Sequence, residues 1–312
     1  MDVVSRKDIE AAASRINGRV RRTPVIQLEE AAFGIDAEIF LKLELFQHTG
    51  SFKPRGAFNR ILSADVPRAG VITASGGNHG QAVAYASEVL GIDAEIFVPE
   101  GSPSLKAERI RRHGAALTVT GQYYDDAMDA CRSRALETGA LLVHPYDHPD
   151  VVAGQGMVGQ EMEDQLPDVD TILVAVGGGG LAAGIAAWYQ SERKVVTVEP
   201  ENCTTLASAL AAGQPVDVRV GGIASDALGA RKIGEIPFSI AREHVTEAVL
   251  VSDEAILEAR QRLWESLRIV AEPGGVASLA ALLSASYVPA KGERVGVIIC
   301  GGNTASLPDP PP

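Results

Sequence analysis

Apolar runs of strand length alternate with amphipathic segments over residues 70–146. The predicted strands are "GVITAS", "AEIFVPE", "AALTVTG" and "ALLVHPY". The segments between them repeat apolar residues at helical spacing and end in glycine: "NHGQAVAYASEVLG", "SLKAERIRRHG" and "YYDDAMDACRSRALETG". This alternation predicts consecutive βαβ units built around a parallel sheet.

A second series of strands and helices begins at residue 171. Its predicted strands are "TILVAV", "KVVTVEP" and "RVGVIICGGN", and its predicted helices are "LAAGIAAWYQ", "DEAILEARQRLWESL" and "GVASLAALLSA". We expect Asp253 to form part of the N-terminal cap of the second helix, and residues 203–240 are rich in glycine and carry no assignment. The predicted fold class is therefore α/β with two open sheets, and a ligand is expected where strand carboxyl ends face a crevice.

Charge and composition exclude several classes of binding partner. A net charge of −12 on 312 residues repels phosphate backbones, so no nucleic-acid partner is expected. The longest apolar runs are strand-sized and no secretory signal is visible at the start, so neither a membrane span nor export is expected. The three cysteines are far apart without CxxC spacing, which favours a reducing compartment. We expect a cytoplasmic enzyme that acts on a small molecule.

Lys53 lies in an unusually constrained stretch, "HTGSFKPRGA". Pro54 disfavours the α conformation for the residue before it, so Lys53 is expected to be extended. Pro54 also suits the first position of a helix, "PRGAFNRIL", whose positive end disfavours an ammonium group on Lys53. A neutral amine is what a Schiff-base lysine needs. An ordinary lysine at a helix start remains an equal alternative on this stretch alone.

Four consecutive glycines follow a predicted strand and open a predicted helix: Gly177, Gly178, Gly179 and Gly180. Their N–H groups can close on a phosphate, which the helix dipole also favours. A tight strand–helix turn is the simpler alternative. A dinucleotide site also competes, because Glu199 ends the next strand where a ribose-binding acid lies in such folds. The motif does not separate a nicotinamide cofactor from a smaller phosphate ligand.

Two further glycine turns carry polar or reactive side chains. In "SGGNHG", Ser75, Asn78 and the N–H groups of the turn can hold a carboxylate or a ring hydroxyl. His79 invites a catalytic role, although packing on the first helical turn explains it more simply. In "CGGN", Cys300 either is a small buried apolar residue or faces a ligand from the end of the last strand.

Together these motifs resemble the fold-type-II pyridoxal-phosphate (PLP) enzymes, the threonine/serine dehydratase and serine racemase group. The matching stretches, in order, are "TGSFKPRGA", "SGGNHGQAVA", "HPYDHPDVVAGQG", "VGGGGLAAG", "EPGG" and "CGGN". The resemblance implies the tryptophan-synthase-β-like fold, with a large cofactor-binding domain from residues 1–68 and 147–312. It also implies a small mobile domain at residues 69–146 and a homodimer.

The same resemblance implies individual roles. Lys53 is the catalytic residue and holds PLP as a Schiff base. The remaining cofactor contacts are Phe52 beside the ring, Asn78 at the ring hydroxyl, Gly177–Gly180 at the phosphate and Cys300 at the pyridine nitrogen. The substrate carboxylate is bounded by Ser75, Gly76, Asn78 and His79.

The implied activity is α,β-elimination from L-threonine and/or L-serine, giving 2-oxobutanoate or pyruvate plus ammonia. The alternatives are a β-replacement synthase, a lyase for another β-substituted amino acid, a nicotinamide-dependent oxidoreductase, and a PLP-binding protein without turnover. The sequence departs from the family pattern in "GGIASDALGA", and Gly76 replaces the serine that serves as a second base in serine racemases. Thr205 replaces the second acid of cation-activated relatives, so no integral metal is expected and Glu199 is the possible ligand.

Overall fold

The computed structural model describes residues 3–29, 31–100 and 104–307, with the backbone alone at 104–106. The strands in these residues are β1 (Val25–Gln27), β2 (Glu38–Lys42), β3 (Val71–Ala74), β4 (Ala94–Val98), β5 (Ala116–Val119), β6 (Leu141–Leu142), β7 (Thr171–Ala175), β8 (Lys194–Pro200), β9 (Glu247–Val251) and β10 (Arg294–Ile298). The α-helices are α1 (Arg6–Ile16), α2 (Pro54–Leu62), α3 (Asn78–Leu90), α4 (Ser104–Arg112), α5 (Tyr124–Thr138), α6 (Pro149–Gln165), α7 (Gly180–Tyr189), α8 (Thr205–Ala212), α9 (Ser225–Leu228), α10 (Glu235–His244), α11 (Asp253–Leu267) and α12 (Pro273–Leu283).

The described strands form two sheets, which confirms the predicted α/β class. A six-stranded sheet has the order β1-β2-β10-β7-β8-β9, and only the β1–β2 pair in it is antiparallel. A four-stranded parallel sheet has the order β5-β4-β3-β6, and its strands lie within residues 69–146. The division into a large and a small mobile domain stays a prediction.

Helices α6 and α7 approach each other closely because glycines face each other between them. A Cβ atom added to Gly184 of α7 would lie 2.5 Å from the backbone nitrogen of Gly156 and 2.6 Å from the carbonyl oxygen of Val152, both on α6. All ten residues of α7 are buried, as expected for a helix that is apolar on every side. Within the described part of the chain, no helix combines the length and apolarity needed to cross a membrane.

The structure completes and corrects the sequence-based assignment after residue 200. Helices α8, α9 and α10 occupy the stretch 203–240 that the sequence left unassigned. The cap of α11 is Ser252, whose side chain accepts a hydrogen bond from the backbone nitrogen of Ala255 at 3.2 Å. The prediction that Asp253 forms part of this cap was wrong, because its carboxylate instead accepts a hydrogen bond from the backbone nitrogen of Ile223 at 3.2 Å.

Gly184→Ala tests the α6–α7 contact. An alanine in a helix interior normally stabilises relative to glycine, but here the methyl group would meet backbone atoms that cannot rotate away. We expect a loss of about 1–3 kcal/mol, measured as a lower midpoint of thermal unfolding. Gly221→Ala is the matched control, since a Cβ there meets no atom within 4 Å. Equal midpoints for the two variants would contradict the close-packing argument.

Candidate active site

Lys53 lies immediately before α2, with Pro54 as the first residue of that helix, as predicted. Its backbone is helical (φ −56°, ψ −32°), so the expectation of an extended Lys53 was wrong. The Lys53 carbonyl accepts a hydrogen bond from the Ala57 nitrogen at 3.1 Å, and the Phe52 carbonyl accepts one from the Arg55 nitrogen at 3.2 Å. These helical hydrogen bonds outweigh the steric preference that proline imposes on the residue before it.

The Lys53 amine is held inside the molecule rather than at its surface. Its Nζ donates a hydrogen bond to the Pro145 carbonyl at 2.9 Å and lies 5.1 Å from the centroid of the Phe52 ring. Burial lowers the pKa of Lys53 to about 8, and the neighbouring Cys300 opposes that shift. At pH 7 this gives roughly 300 times more neutral amine than the ordinary pKa of 10.5. Lys53 is therefore a competent nucleophile and base, mainly because of burial.

A buried network of charged side chains lies beneath Lys53. Arg55 bonds to Glu44 and to Glu161 at 2.7 Å each, and Lys42 bonds to Glu161 at 2.6 Å. The Arg55, Glu44 and Lys42 side chains are fully buried. Burial alone would raise the pKa of Glu44, but Arg55 and Lys42 outweigh it and the pKa is lowered. The two cations and two anions balance, which fixes the start of α2 against α6 and β2.

The glycine loop Gly177–Gly180 presents its backbone to the same place. Within the described residues, none of its four N–H groups has a hydrogen-bond partner, and α7 begins at Gly180. Gly179 has a φ of +91°, a conformation that side chains disfavour, and a Cβ on Gly178 would lie 2.2 Å from the Tyr146 ring. Free N–H groups at a helix N-terminus form an anion-binding cradle, and these residues fit a phosphate group.

Glu199 lies near this loop but its carboxylate is already bound. It accepts hydrogen bonds from the Thr205 hydroxyl at 2.9 Å and from the backbone nitrogens of Leu206 and Ala207 at 2.7 and 2.8 Å. Burial raises the pKa of Glu199, which those hydrogen bonds oppose. The carboxylate caps α8 instead of facing a ribose, so the nicotinamide alternative loses its acidic residue. The described residues contain no cluster of three metal-ligating side chains, and the absence of an integral metal stays a prediction.

The turn before α3 forms one wall of the site. The Ser75 hydroxyl accepts a hydrogen bond from the Gly77 nitrogen at 3.2 Å. His79 is 4% exposed, and its Nε2 lies 2.9 Å from the Val143 carbonyl. Burial and the nearby Lys53 lower the pKa of His79 to about 3, so the ring is neutral and Nε2 donates to that carbonyl. This geometry favours a packed histidine over a proton carrier.

The predicted site residues line two adjoining cavities. The inner pocket, of about 40 Å³, is lined in part by Phe52, Lys53, Asn78, Gly177, Gly178, Gly179, Gly180 and Cys300. The outer cavity, of about 400 Å³, is lined in part by Lys53, Ser75, Gly76, Asn78 and His79. Burial, followed by Glu272, raises the pKa of Cys300 to about 12, so its thiol is neutral. The structure thus brings the predicted residues together, and their individual roles stay predictions.

Three residues without a role in the sequence-based assignment also belong to the site. Tyr146 lines both cavities, and its hydroxyl lies 3.3 Å from the Lys232 carbonyl. Glu272 and Asn303 bond to the side chain of Asn78. All three fall inside quoted motifs, but only the folded chain shows which atoms they meet.

These features suit one class of protein: an enzyme whose cofactor carries a phosphate and a carbonyl group that a lysine amine can bind. The model of the family described as pyridoxal-phosphate dependent enzyme matches residues 16–301. The chain belongs to this family, which confirms both the resemblance and the PLP cofactor.

Relatives and solved structures agree with this membership. The chain is 37% identical over 306 residues to an L-threonine ammonia-lyase from Thermotoga maritima, covering 96% of this chain and 76% of the relative. It matches the structure of maize serine racemase with a TM-score of 0.92 at 33% identity, covering 97% of this chain and 94% of the other. It matches the crystal structure of a T.th. threonine deaminase with a TM-score of 0.90 at 35% identity, covering 99% and 100%. These matches confirm the predicted fold.

Borohydride reduction tests whether Lys53 holds the cofactor. We expect the pyridoxyl label on the peptide that contains Lys53, and no stable label at that peptide in Lys53→Ala. Because capture needs the neutral amine, its rate in the apoprotein should rise with pH and level off above about 8. Label on a different lysine, or a rate that keeps rising to the ordinary lysine pKa, would contradict this assignment.

Gly178→Val tests the phosphate cradle. The added side chain would overlap the Tyr146 ring and displace the loop backbone, so PLP affinity should fall by at least about tenfold. Equilibrium dialysis gives the affinity, and thermal unfolding of the apoprotein gives the stability change. Gly221→Ala serves again as the control. A variant that loses stability yet binds PLP normally would indicate an ordinary turn.

Proposed function

We propose that this protein is a PLP-dependent ammonia-lyase that converts L-threonine and/or L-serine to 2-oxobutanoate or pyruvate plus ammonia. The observation that carries the proposal is the buried Lys53 amine, with its pKa lowered to about 8, facing a cavity beside the free N–H groups of Gly177–Gly180. The relatives named as L-threonine ammonia-lyase, including one from Geobacter sulfurreducens at 39% identity, support this substrate class.

Lys53 has the central chemical role. Its amine would accept the Cα proton of the substrate. PLP, when bound, supplies the electron sink for the negative charge left on Cα. The β-hydroxyl would take up a proton, which the Lys53 ammonium can return, and leave as water. The enamine released would tautomerise to an imine, whose hydrolysis gives the keto acid and ammonia. The turn at Ser75–His79 lines the outer cavity together with Lys53, which supports it as the site of the substrate carboxylate.

Cys300 biases the chemistry toward elimination. Its buried thiol stays neutral, because burial raises its pKa to about 12. A neutral thiol is a weak partner for a pyridine nitrogen and leaves that nitrogen largely unprotonated. A shallower electron sink favours prompt loss of the β-substituent over prolonged storage of the carbanion.

Gly76 bears on the competing inversion reaction. Inversion requires a proton on the face of the substrate opposite Lys53, and the family resemblance assigns that face to Gly76. Gly76 lines the outer cavity but has no side chain with a proton to donate. A β-replacement synthase remains the second candidate within the family, since the same cavity can admit a second nucleophile. The homodimer and the cytoplasmic location are further parts of this proposal.

Incubation of L-serine with the holoenzyme tests the proposal. We expect pyruvate and ammonia to form about 10²–10⁴ times faster than D-serine, because Gly76 has no side chain to deliver a proton to the second face. Chiral chromatography and a pyruvate assay on one sample give both rates, and Gly76→Ser should narrow the gap. D-serine formed as fast as pyruvate would contradict the Gly76 argument. Bound PLP without either product would contradict the lyase, and faster consumption with an added thiol would favour β-replacement.

A further inference from the structure

The side-chain amide of Asn78 lies between a hydrogen-bond acceptor, which binds its nitrogen, and a hydrogen-bond donor, which binds its oxygen. Its Nδ2 donates a hydrogen bond to Glu272 Oε1 at 2.6 Å, and its Oδ1 accepts one from Asn303 Nδ2 at 2.8 Å. Reversing the amide would place its oxygen against a carboxylate and its nitrogen against another N–H donor. The two contacts therefore select one orientation and leave the second N–H of Asn78 uncommitted to either partner.

Glu272 is built to keep its carboxylate at this position. It is 6% exposed and occupies the N-cap position of α12, without a side-chain capping hydrogen bond, where the helix dipole favours a negative charge. Its backbone nitrogen donates to the Gly301 carbonyl at 3.1 Å. A Cβ on Gly301 would clash with Glu272 Oε1, so glycine at that position leaves room for the carboxylate.

Hydrogen bonds also fix the orientation of the Asn303 side chain. Its Nδ2 also donates to the Thr49 carbonyl at 2.7 Å, and its Oδ1 accepts from Arg109 Nη1 at 3.2 Å. Each end of the Asn303 amide therefore has a partner of fixed polarity, so this amide cannot reverse without losing hydrogen bonds.

The contacts join two parts of the chain that are distant in sequence. Asn78 and Arg109 lie among the strands and helices of the four-stranded sheet, whereas Glu272 and Asn303 lie beside the end of β10 in the six-stranded one. Asn78 also lines the inner pocket together with Lys53 and Cys300. The orientation of the amide is thus set where these two parts meet, beside the reactive lysine.

We propose that Glu272 and Asn303 are positioning residues, which orient the Asn78 amide so that its uncommitted N–H faces the ring hydroxyl of the cofactor. The inference rests on the proposed function, which places PLP in this pocket. Glu272 lines the inner pocket beside Asn78, and in the proposed role both Glu272 and Asn303 act on the ring hydroxyl through Asn78. Loss of either partner should therefore affect the cofactor only while Asn78 is present.

A double-mutant cycle tests this dependence. We expect Glu272→Ala, which removes the acceptor, and Asn303→Asp each to weaken PLP binding on the order of tenfold in equilibrium dialysis. Asn303→Asp should act because it sets a second carboxylate against the Asn78 amide in competition with Glu272. In an Asn78→Ala background, the same two substitutions should change PLP affinity less than about twofold. An equal loss in both backgrounds would overturn the proposal.

The absorption spectrum of the bound cofactor supplies a readout that a merely structural residue would not move. A hydrogen bond to the ring hydroxyl stabilises its ionised form, so both single variants should shift intensity from the visible band to the ultraviolet band. Glu293→Ala is the matched control: Glu293 is 7% exposed and bonds to Thr171 and Tyr287, away from the pocket. An unchanged spectrum in both site variants, or an equal change in the control, would contradict the inference.

These readouts separate the positioning proposal from the proposed function. If the protein binds PLP at Lys53 but forms no keto acid, the lyase proposal fails while the affinity cycle and the spectra still report on Glu272 and Asn303. If turnover is normal but the cycle shows no dependence on Asn78, the positioning proposal alone fails.

Discussion

The buried pairing of Arg55 with Glu44 and Glu161 is the interaction on which the site depends most. Removing one member would leave an uncompensated charge in the core, which typically costs about 3–5 kcal/mol. Arg55 lies two residues after Lys53, in the first turn of the same helix. The network therefore fixes the helix start in position and rotation, and the lysine backbone is fixed with it. The position of the Lys53 amine therefore depends on ion pairs of Arg55 that lie outside the ligand pocket.

Convergence of helix N-termini provides the second condition for the chemistry. Helices α2, α3 and α7 begin at Pro54, Asn78 and Gly180, and all three residues or their immediate neighbours line the inner pocket. The N-termini of helices favour an anionic ligand and disfavour a cation. Burial adds to this by lowering the pKa of Lys53 and raising that of Cys300. The pocket thus holds an amine whose neutral fraction at pH 7 is greatly increased, and a neutral thiol, beside a cradle for a phosphate.

Much of this arrangement could be predicted because the residues that bind a phosphate or present an amine cluster in short motifs. Four consecutive glycines at 177–180 predict a turn before a helix. The Phe52–Pro54 segment predicts a helix that begins at Pro54. A local conformational preference can be overridden by hydrogen bonds to neighbouring residues. Pro54 predicted an extended Lys53, but the hydrogen bonds of α2 impose a helical backbone there. Likewise, Asp253 has the chemistry of a cap, yet Ser252 takes that position because the Asp253 carboxylate bonds elsewhere.

The sequence by itself determined the α/β class, most strands and helices, the family and the candidate lysine, since periodicity and glycine turns are encoded over a few adjacent residues. The tertiary structure decided which distant side chains meet. The position of Glu199 after a strand allows a ribose ligand, whereas in the folded chain its carboxylate accepts hydrogen bonds at the N-terminus of α8. The contacts of Asn78 with Glu272 and Asn303 span 194 and 225 residues. Hydrogen bonds across such separations depend on how the two sheets pack, and no local pattern in the chain specifies them.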